Sequence, residues 1–382
     1  MPCARIGDGE DQDGNNSVNR FMPGRRALLA ALPALGAFGY SRAQNASAGA
    51  FAVVRPDYRM AFPRDHGSHP DYRIEWWYAT GWLSSAGQPD GGFQITFFRA
   101  RPRLQPGNPS RFNPEHIIIA HAAIADTRRG RLIHAQRAAR EGFGLAGSAR
   151  DNTRVWIDDW QLLRDGGVYR THMAAPELAL ALTLTPTQPV LLQGVTGYSR
   201  KGPQPQSASH YYSLPQLAVS GTVRMDDQPR TVAGTAWLDH EWSSSYLDPE
   251  AAGWDWIGIN LGDGGAVMAF RMRGRRGGVL WAGGALRNAA GKVHNLAPED
   301  VEFTPMRHWQ SPHTGTDYPV AFAVRAGDLQ FILEPLMDDQ ENDTRATTGA
   351  IYWEGAVQAR QQGRVIGRGY LELTGYPQPL AL

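Results

Sequence analysis

Residues 231–242 read TVAGTAWLDHEW. In an extended chain, successive side chains point to opposite faces. Trp237, Asp239 and Glu241 then share one face, and Leu238, His240 and Trp242 share the other. Alternating apolar runs of the same kind recur on both sides of this one. Upstream lie IEWWYATGWL (74–83), GGFQITFFRAR (91–101), HIIIAHAAIADT (116–127) and LALALTLTP (178–186). Downstream lie WDWIGINLGDG (254–264), AVMAFRMRG (266–274), AIYWEGAVQAR (350–360) and RGYLELTGY (368–376). The links between runs are rich in Gly, Asp and Asn, which is hairpin chemistry. No stretch keeps a 3.6-residue period over three turns; a short helix is expected only near 298–302 (PEDVE). The pattern predicts an all-β protein built from antiparallel barrels or sandwiches.

The chain has 382 residues, too many for one eight-stranded barrel, so two barrels packed together are expected. The stretch GYSRKGPQPQSASHYYS (197–213) loses the apolar alternation and reads as a linker or a long rim loop. We place a first domain over 49–235 and a second over 236–382. The 38 basic and 37 acidic residues nearly cancel, which argues against a nucleic-acid partner. The single cysteine, Cys3, rules out a disulfide framework, a thiolate metal cluster and a catalytic thiol in the body of the chain. Lys201 and Lys292 are the only lysines.

Residues 1–48 read as a leader. Arg25 and Arg26 precede a short apolar run from Ala27 to about Phe38, and small residues follow in SRA (41–43) and ASA (46–48). That is the anatomy of a secretory signal, and the paired arginines suggest the twin-arginine route. The expected location is therefore periplasmic or secreted. The apolar run is too short to span a bilayer, and no transmembrane segment is expected in the mature chain.

The unusual chemistry is acids set among tryptophans: Glu75 in IEWWY, Asp239 and Glu241 in WLDHEW, Asp255 in GWDW and Glu354 in YWEG. Glu75 shares a strand face with Trp77, and Asp255 with Ile257 and Ile259. A carboxyl group on an apolar face is costly unless it is hydrogen-bonded or protonated, and a protonated one can donate its proton. Such acids also serve structure, by pairing with the plentiful arginines. The expected ligand-contacting set is Glu75, Trp76, Trp77, Trp237, Trp242, Trp254, Trp256 and Tyr212, around a catalytic group of Asp239, His240 and Asp255. His66 and His69 in DHGSHPD lack a third ligand in the sequence, so no metal and no organic cofactor are expected.

Taken together, FPRDHGSHPDYRIEWWYATGWL, GFQITFFRA, AHAAIAD, YYSLPQLAVSGTV, GTAWLDHEWSS, GWDWIGINL, YWEGAV and GYLELTGY resemble the lipocalin-like AttH group. That group is related to the carotenoid 1,2-hydratases. The resemblance runs from about Ala61 to Tyr376 and implies two lipocalin-like β-barrel domains, the second smaller. It also implies a hydrophobic ligand, isoprenoid or lipid. His240 and Trp242 match the hydratases' His-x-Trp arrangement, with Asp255 as the best candidate for their downstream acid. A hydro-lyase that adds water to an alkene is one functional expectation. The alternative is a non-catalytic lipid-binding accessory to an ABC-type exporter, beside which many relatives are encoded.

Overall fold

The computed structural model describes residues 51–85, 88–102, 110, 113–225 and 228–380, with the side chains of 88–90 also left aside. The leader expected at 1–48 lies outside them. The described residues form one compact unit.

The described chain is almost entirely β. It forms two large antiparallel sheets, one of thirteen strands and one of ten. The first is nearly closed as a barrel, and its outer strands Arg131–Arg140 and Ala146–Ser148 meet again. At its middle, the Ile74–Ser85 strand pairs on one side with Gln88–Ala100 and on the other with Gln228–Ser243. The latter pairs in turn with Ala208–Met225. In the second sheet, Ala251–Leu261 lies between Ala266–Gly274 and Arg364–Leu373, and Ile351–Gln361 follows. That sheet curls until Val301–Gln310 packs against Ala266–Gly274 and Val279–Arg287. These are the antiparallel, barrel-like sheets expected from the alternating runs, in the lipocalin-like form that the resemblance implies.

Two details differ from the sequence reading and a third agrees with it. The chain passes from the first sheet to the second at 244–250; the 228–243 strand runs unbroken across 235/236. The soft stretch 197–213 is neither linker nor free loop. Tyr198–Arg200 pairs with Ala208–Met225 through a turn that holds the glycine and prolines. Near 298–302 there is one three-residue turn of 3-10 helix, Pro298–Asp300, before the next strand starts.

Alternation sorts most buried side chains into three large cores, beside a small fourth one. Trp77, Ala79, Leu238 and Trp242 point into the first barrel. Ile257, Ile259 and Leu371 point into the second sheet. Tyr78, Trp82, Trp237, Trp256 and Tyr370 fill the space between the sheets. Two side chains, one from each sheet, pin the sheets together. The Trp82 indole donates to the Gly369 carbonyl at 3.0 Å, and the Asn260 amide donates to the Ala236 carbonyl at 3.1 Å. Gly92 marks a close approach of the two sheets, where a Cβ would collide with the Tyr370 hydroxyl and the Ala356 methyl.

Candidate functional site

Because side chains alternate, the Ile74–Ser85 and Gln228–Ser243 strands each serve two compartments. Their inward residues build a polar network inside the first barrel. Glu75 is fully buried there. It accepts from Arg99 Nε at 2.9 Å, from His69 Nδ1 at 2.7 Å and from His240 Nε2 at 2.8 Å. His69 Nε2 reaches Asp65 at 3.3 Å, and its ring stacks on Trp242 with centroids 3.6 Å apart. His240 Nδ1 is left to accept from the Tyr212 hydroxyl at 3.1 Å, and Tyr212 also meets His66 Nδ1 at 2.9 Å.

The charges of this network close on themselves. Burial alone would raise the Glu75 carboxyl, but the His69 and Arg99 charges outweigh it and hold that carboxyl well below the usual range. Burial would lower His69, but Glu75 and Asp65 raise it, so it is a natural double donor. Burial lowers His240, and it takes His66 down to about 3, so both are neutral imidazoles. His69, Glu75 and His240 offer three ligand atoms within 4.8 Å of one another, a constellation that the sequence spacing did not show. To hold a metal, His69 would have to give up a proton, and Arg99 already balances Glu75. The geometry therefore fits a hydrogen-bonded pin better than a metal centre.

The outward residues of the same strands face the second sheet across a cleft of about 110 Å³. Trp76, Tyr78 and Phe98 form one wall; Trp254, Trp256, Phe270 and Met272 form the other. The rings interlock edge to face. Tyr78 meets Trp256 at 5.5 Å, Trp76 meets Tyr246 at 5.2 Å, and Tyr246 meets Trp254 at 5.4 Å. Trp76, Phe98 and Trp254 are part-exposed and mark the mouth.

Four carboxyl groups line this apolar space: Asp239 and Glu241 from the first sheet, Glu354 and Glu372 from the second. Asp239 is 3% exposed and accepts from Ser213 Oγ at 2.6 Å, Trp237 Nε1 at 2.6 Å and Tyr211 Oη at 2.8 Å. Burial pushes it up to about 7 in spite of those three donors. Glu372 is also pushed up to about 7 by burial, against the Trp254 indole that donates to it at 3.0 Å. Glu354 stands opposite Glu372 in the strand register and is raised well above the carboxylate range by burial and by that neighbour. Both Glu354 oxygens are buried with no hydrogen-bond partner among the described residues. Tyr78, Tyr352 and Asn342 are near enough to ease its ionisation but not at bonding geometry. Glu241 is raised by burial and drawn back by Lys201, whose ammonium is 3.0 Å away. That ammonium also lies over the Tyr211 ring at 4.6 Å and the Phe270 ring at 4.3 Å.

The structure thus divides the residues singled out in the sequence. Asp239, Trp76, Trp254 and Trp256 meet in the cleft, and Trp237 backs it by packing on Trp256 and holding Asp239. Glu75, Trp77, Tyr212, His240 and Trp242 meet inside the first barrel, on the opposite face of the same sheet. Asp255 joins neither. It faces the interior of the second sheet, where Arg271 Nε at 2.6 Å, Arg273 Nε at 3.0 Å and the Tyr376 hydroxyl at 3.0 Å occupy its oxygens. Asp239, His240 and Asp255 therefore cannot act on one substrate atom together: a shared short segment does not make a shared face. Sequence reasoning did not assign Glu354, Glu372, Tyr211, Tyr246 or Lys201 to the site. The usable signals were present, an acid within the apolar GYLELTGY run and a lysine in a chain that otherwise uses arginine.

A family model described as AttH-like matches residues 53–376. The crystal structure of a Nitrosomonas europaea protein assigned as an AttH is 50% identical, covers 85% of this chain and 100% of its own, and has a TM-score of 0.80. Kievitone hydratase from Nectria haematococca is 12% identical, covers 87% of this chain and 97% of its own, and has a TM-score of 0.64. No curated protein matches the sequence. No helix among the described residues is long and apolar enough to cross a membrane.

Proposed function

The chain belongs to the AttH-like family, and on that premise we propose that it holds an apolar ligand, isoprenoid or lipid, between its two sheets and adds water to an alkene there. One observation carries the reading. Asp239 keeps its proton up to about pH 7 inside an aromatic-lined cleft, which is the state a general acid needs. Asp239 gives its proton to the less substituted alkene carbon and the π pair forms the new C–H bond. A tertiary cation is left, and the Trp254 and Trp256 ring faces stabilise it by about 0.5–2 kcal/mol each. Water adds through oxygen, and the proton it sheds returns to the carboxylate set. The net change is one water gained, with no redox partner. Kievitone hydratase is by name a hydratase, so this architecture hosts that reaction class; its substrate does not transfer with the fold.

His240 stays outside this mechanism and serves to hold Glu75 and Tyr212. The proposed location is outside the cytoplasm, on the strength of the twin-arginine-type leader. The cleft also suits a simple carrier, working beside an ABC-type exporter, and the same experiment separates the two. The protein is recovered from its native host, and the bound ligand is extracted and weighed before and after incubation. A gain of one water supports catalysis, and an unchanged mass supports carriage alone. Asp239→Asn is expected to lower turnover by about 10²–10⁴-fold. Full turnover by that variant would remove Asp239 as the acid.

A further inference from the structure

The cleft holds more negative capacity than one proton donor requires. Among the described residues, four carboxyl groups line it, and Lys201 is the only basic side chain that does. Lys201 is moreover committed to Glu241 at 3.0 Å. Glu354 is the telling member. It is 1% exposed, lines the cleft, and has no hydrogen-bond partner on either oxygen among the described residues. A buried carboxyl left unmatched by the protein is a place where a ligand supplies the match. The Tyr78 and Tyr370 hydroxyls around it are likewise without partners.

The rest of the wall also favours positive charge. Ring faces attract cations, and more so where water is excluded. The Lys201 ammonium already lies over two of these rings, at 4.6 and 4.3 Å. We infer that the cleft is a receptor for organic cations carried on an apolar tail. A stable alkylammonium ion would occupy it more tightly than a neutral molecule of the same shape. The inference rests on the cleft being the ligand site and goes further by fixing the charge of the species it holds best. A cation on carbon, formed when an alkene is protonated, belongs to the same class.

The test compares octyltrimethylammonium with its neutral tert-butyl isostere and with decanoate, read by fluorescence of the cleft tryptophans. The cation is expected to bind roughly tenfold or more tighter than the isostere at about pH 8, and decanoate weakest. The groups facing the bound head are Asp239, Glu241, Glu354, Glu372 and Lys201, with Tyr78, Tyr211, Tyr246 and Tyr352. Asp239 and Glu372 lose their protons near pH 7, so cation affinity rises between about pH 5 and 8 while isostere affinity stays flat. Glu354 is held neutral by burial in the free protein, and a cation seated beside it draws it into its ionised form. Glu354→Gln cannot ionise, breaks no hydrogen bond among the described residues, and is expected to reduce the cation preference several-fold while leaving isostere binding unchanged. Equal affinity for cation and isostere, or a preference for decanoate, overturns the inference and leaves the apolar site standing. Binding of none of the three overturns the apolar site as well.

Discussion

Glu75 and Asp239 lie on neighbouring strands of one sheet, both nearly sealed from water, at 0% and 3% exposure. Their ionisation moves in opposite directions. Glu75 faces into the barrel, where Arg99 and His69 supply counter-charge and keep it ionised. Asp239 faces the cleft, where its three partners are uncharged donors, and it holds its proton to about pH 7. Burial is shared, so burial does not decide the role of either acid. What decides it is whether the protein supplies the opposite charge. The barrel interior does and becomes an anchor; the cleft leaves most of its acids without one and becomes chemically available.

The strongest way to break the contrast is to remove the counter-charge. Arg99→Ala leaves Glu75 buried without its guanidinium and is expected to cost about 3–5 kcal/mol, read by urea unfolding. Arg99→Met keeps most of the volume and separates charge from packing. A loss under about 1 kcal/mol for both would show that the anchor does not depend on charge.

The next effect has the opposite sign. An acid whose pKa is raised by folding stabilises the protein fully below its unfolded pKa, and that contribution is lost as pH rises through the folded value. For Glu372 the window runs from about 4.5 to about 7. Glu372→Gln is therefore expected to match the wild type at pH 4 and to be more stable by about 1–2 kcal/mol at pH 8, the side chain's partial exposure keeping it below the full shift. Melting curves at the two pH values check this. The anchor must show the reverse: Glu75 is lowered by folding, so its contribution is present above the ordinary carboxylate pKa and fades as pH falls through the folded value. If Glu372→Gln changes stability equally at both pH values, the unmatched-acid account of the cleft fails.

The smallest effect sharpens the picture within the cleft. Tyr211→Phe removes one hydroxyl from Asp239 and is expected to cost about 1 kcal/mol. It also moves the Asp239 titration, followed by carboxyl infrared absorption, further upward. No movement would mean that the Ser213 and Trp237 donors already fix the carboxylate.

The strands and their facing were readable in the sequence because alternation is a local property. It placed Glu241 beside Asp239 and separated both from His240. What lies opposite a face was not readable. Asp255 looked like a proton donor because its partners, Arg271 and Arg273, sit on the next strand, and Arg271 comes into register with it only through the hairpin. Glu372 became notable only when pairing set it against Glu354. The Glu75–His240 contact joins residues 165 apart in the chain, and no periodic signal encodes a distance of that kind. The lipocalin-like architecture was thus accessible from pattern and resemblance, while the division of acids between anchor and cleft needed the third dimension.

The sheet that separates the two acids is a party wall one residue thick. His240 and Glu241 are consecutive, yet one serves the room on the left and the other the room on the right. Odd and even positions can therefore drift under separate selection. A lineage can refurnish the cleft for a new guest by changing 237, 239 and 241 while 238, 240 and 242 keep the masonry intact. The same thinness makes slippage intolerable, since a shift of one residue would exchange the contents of both rooms at once.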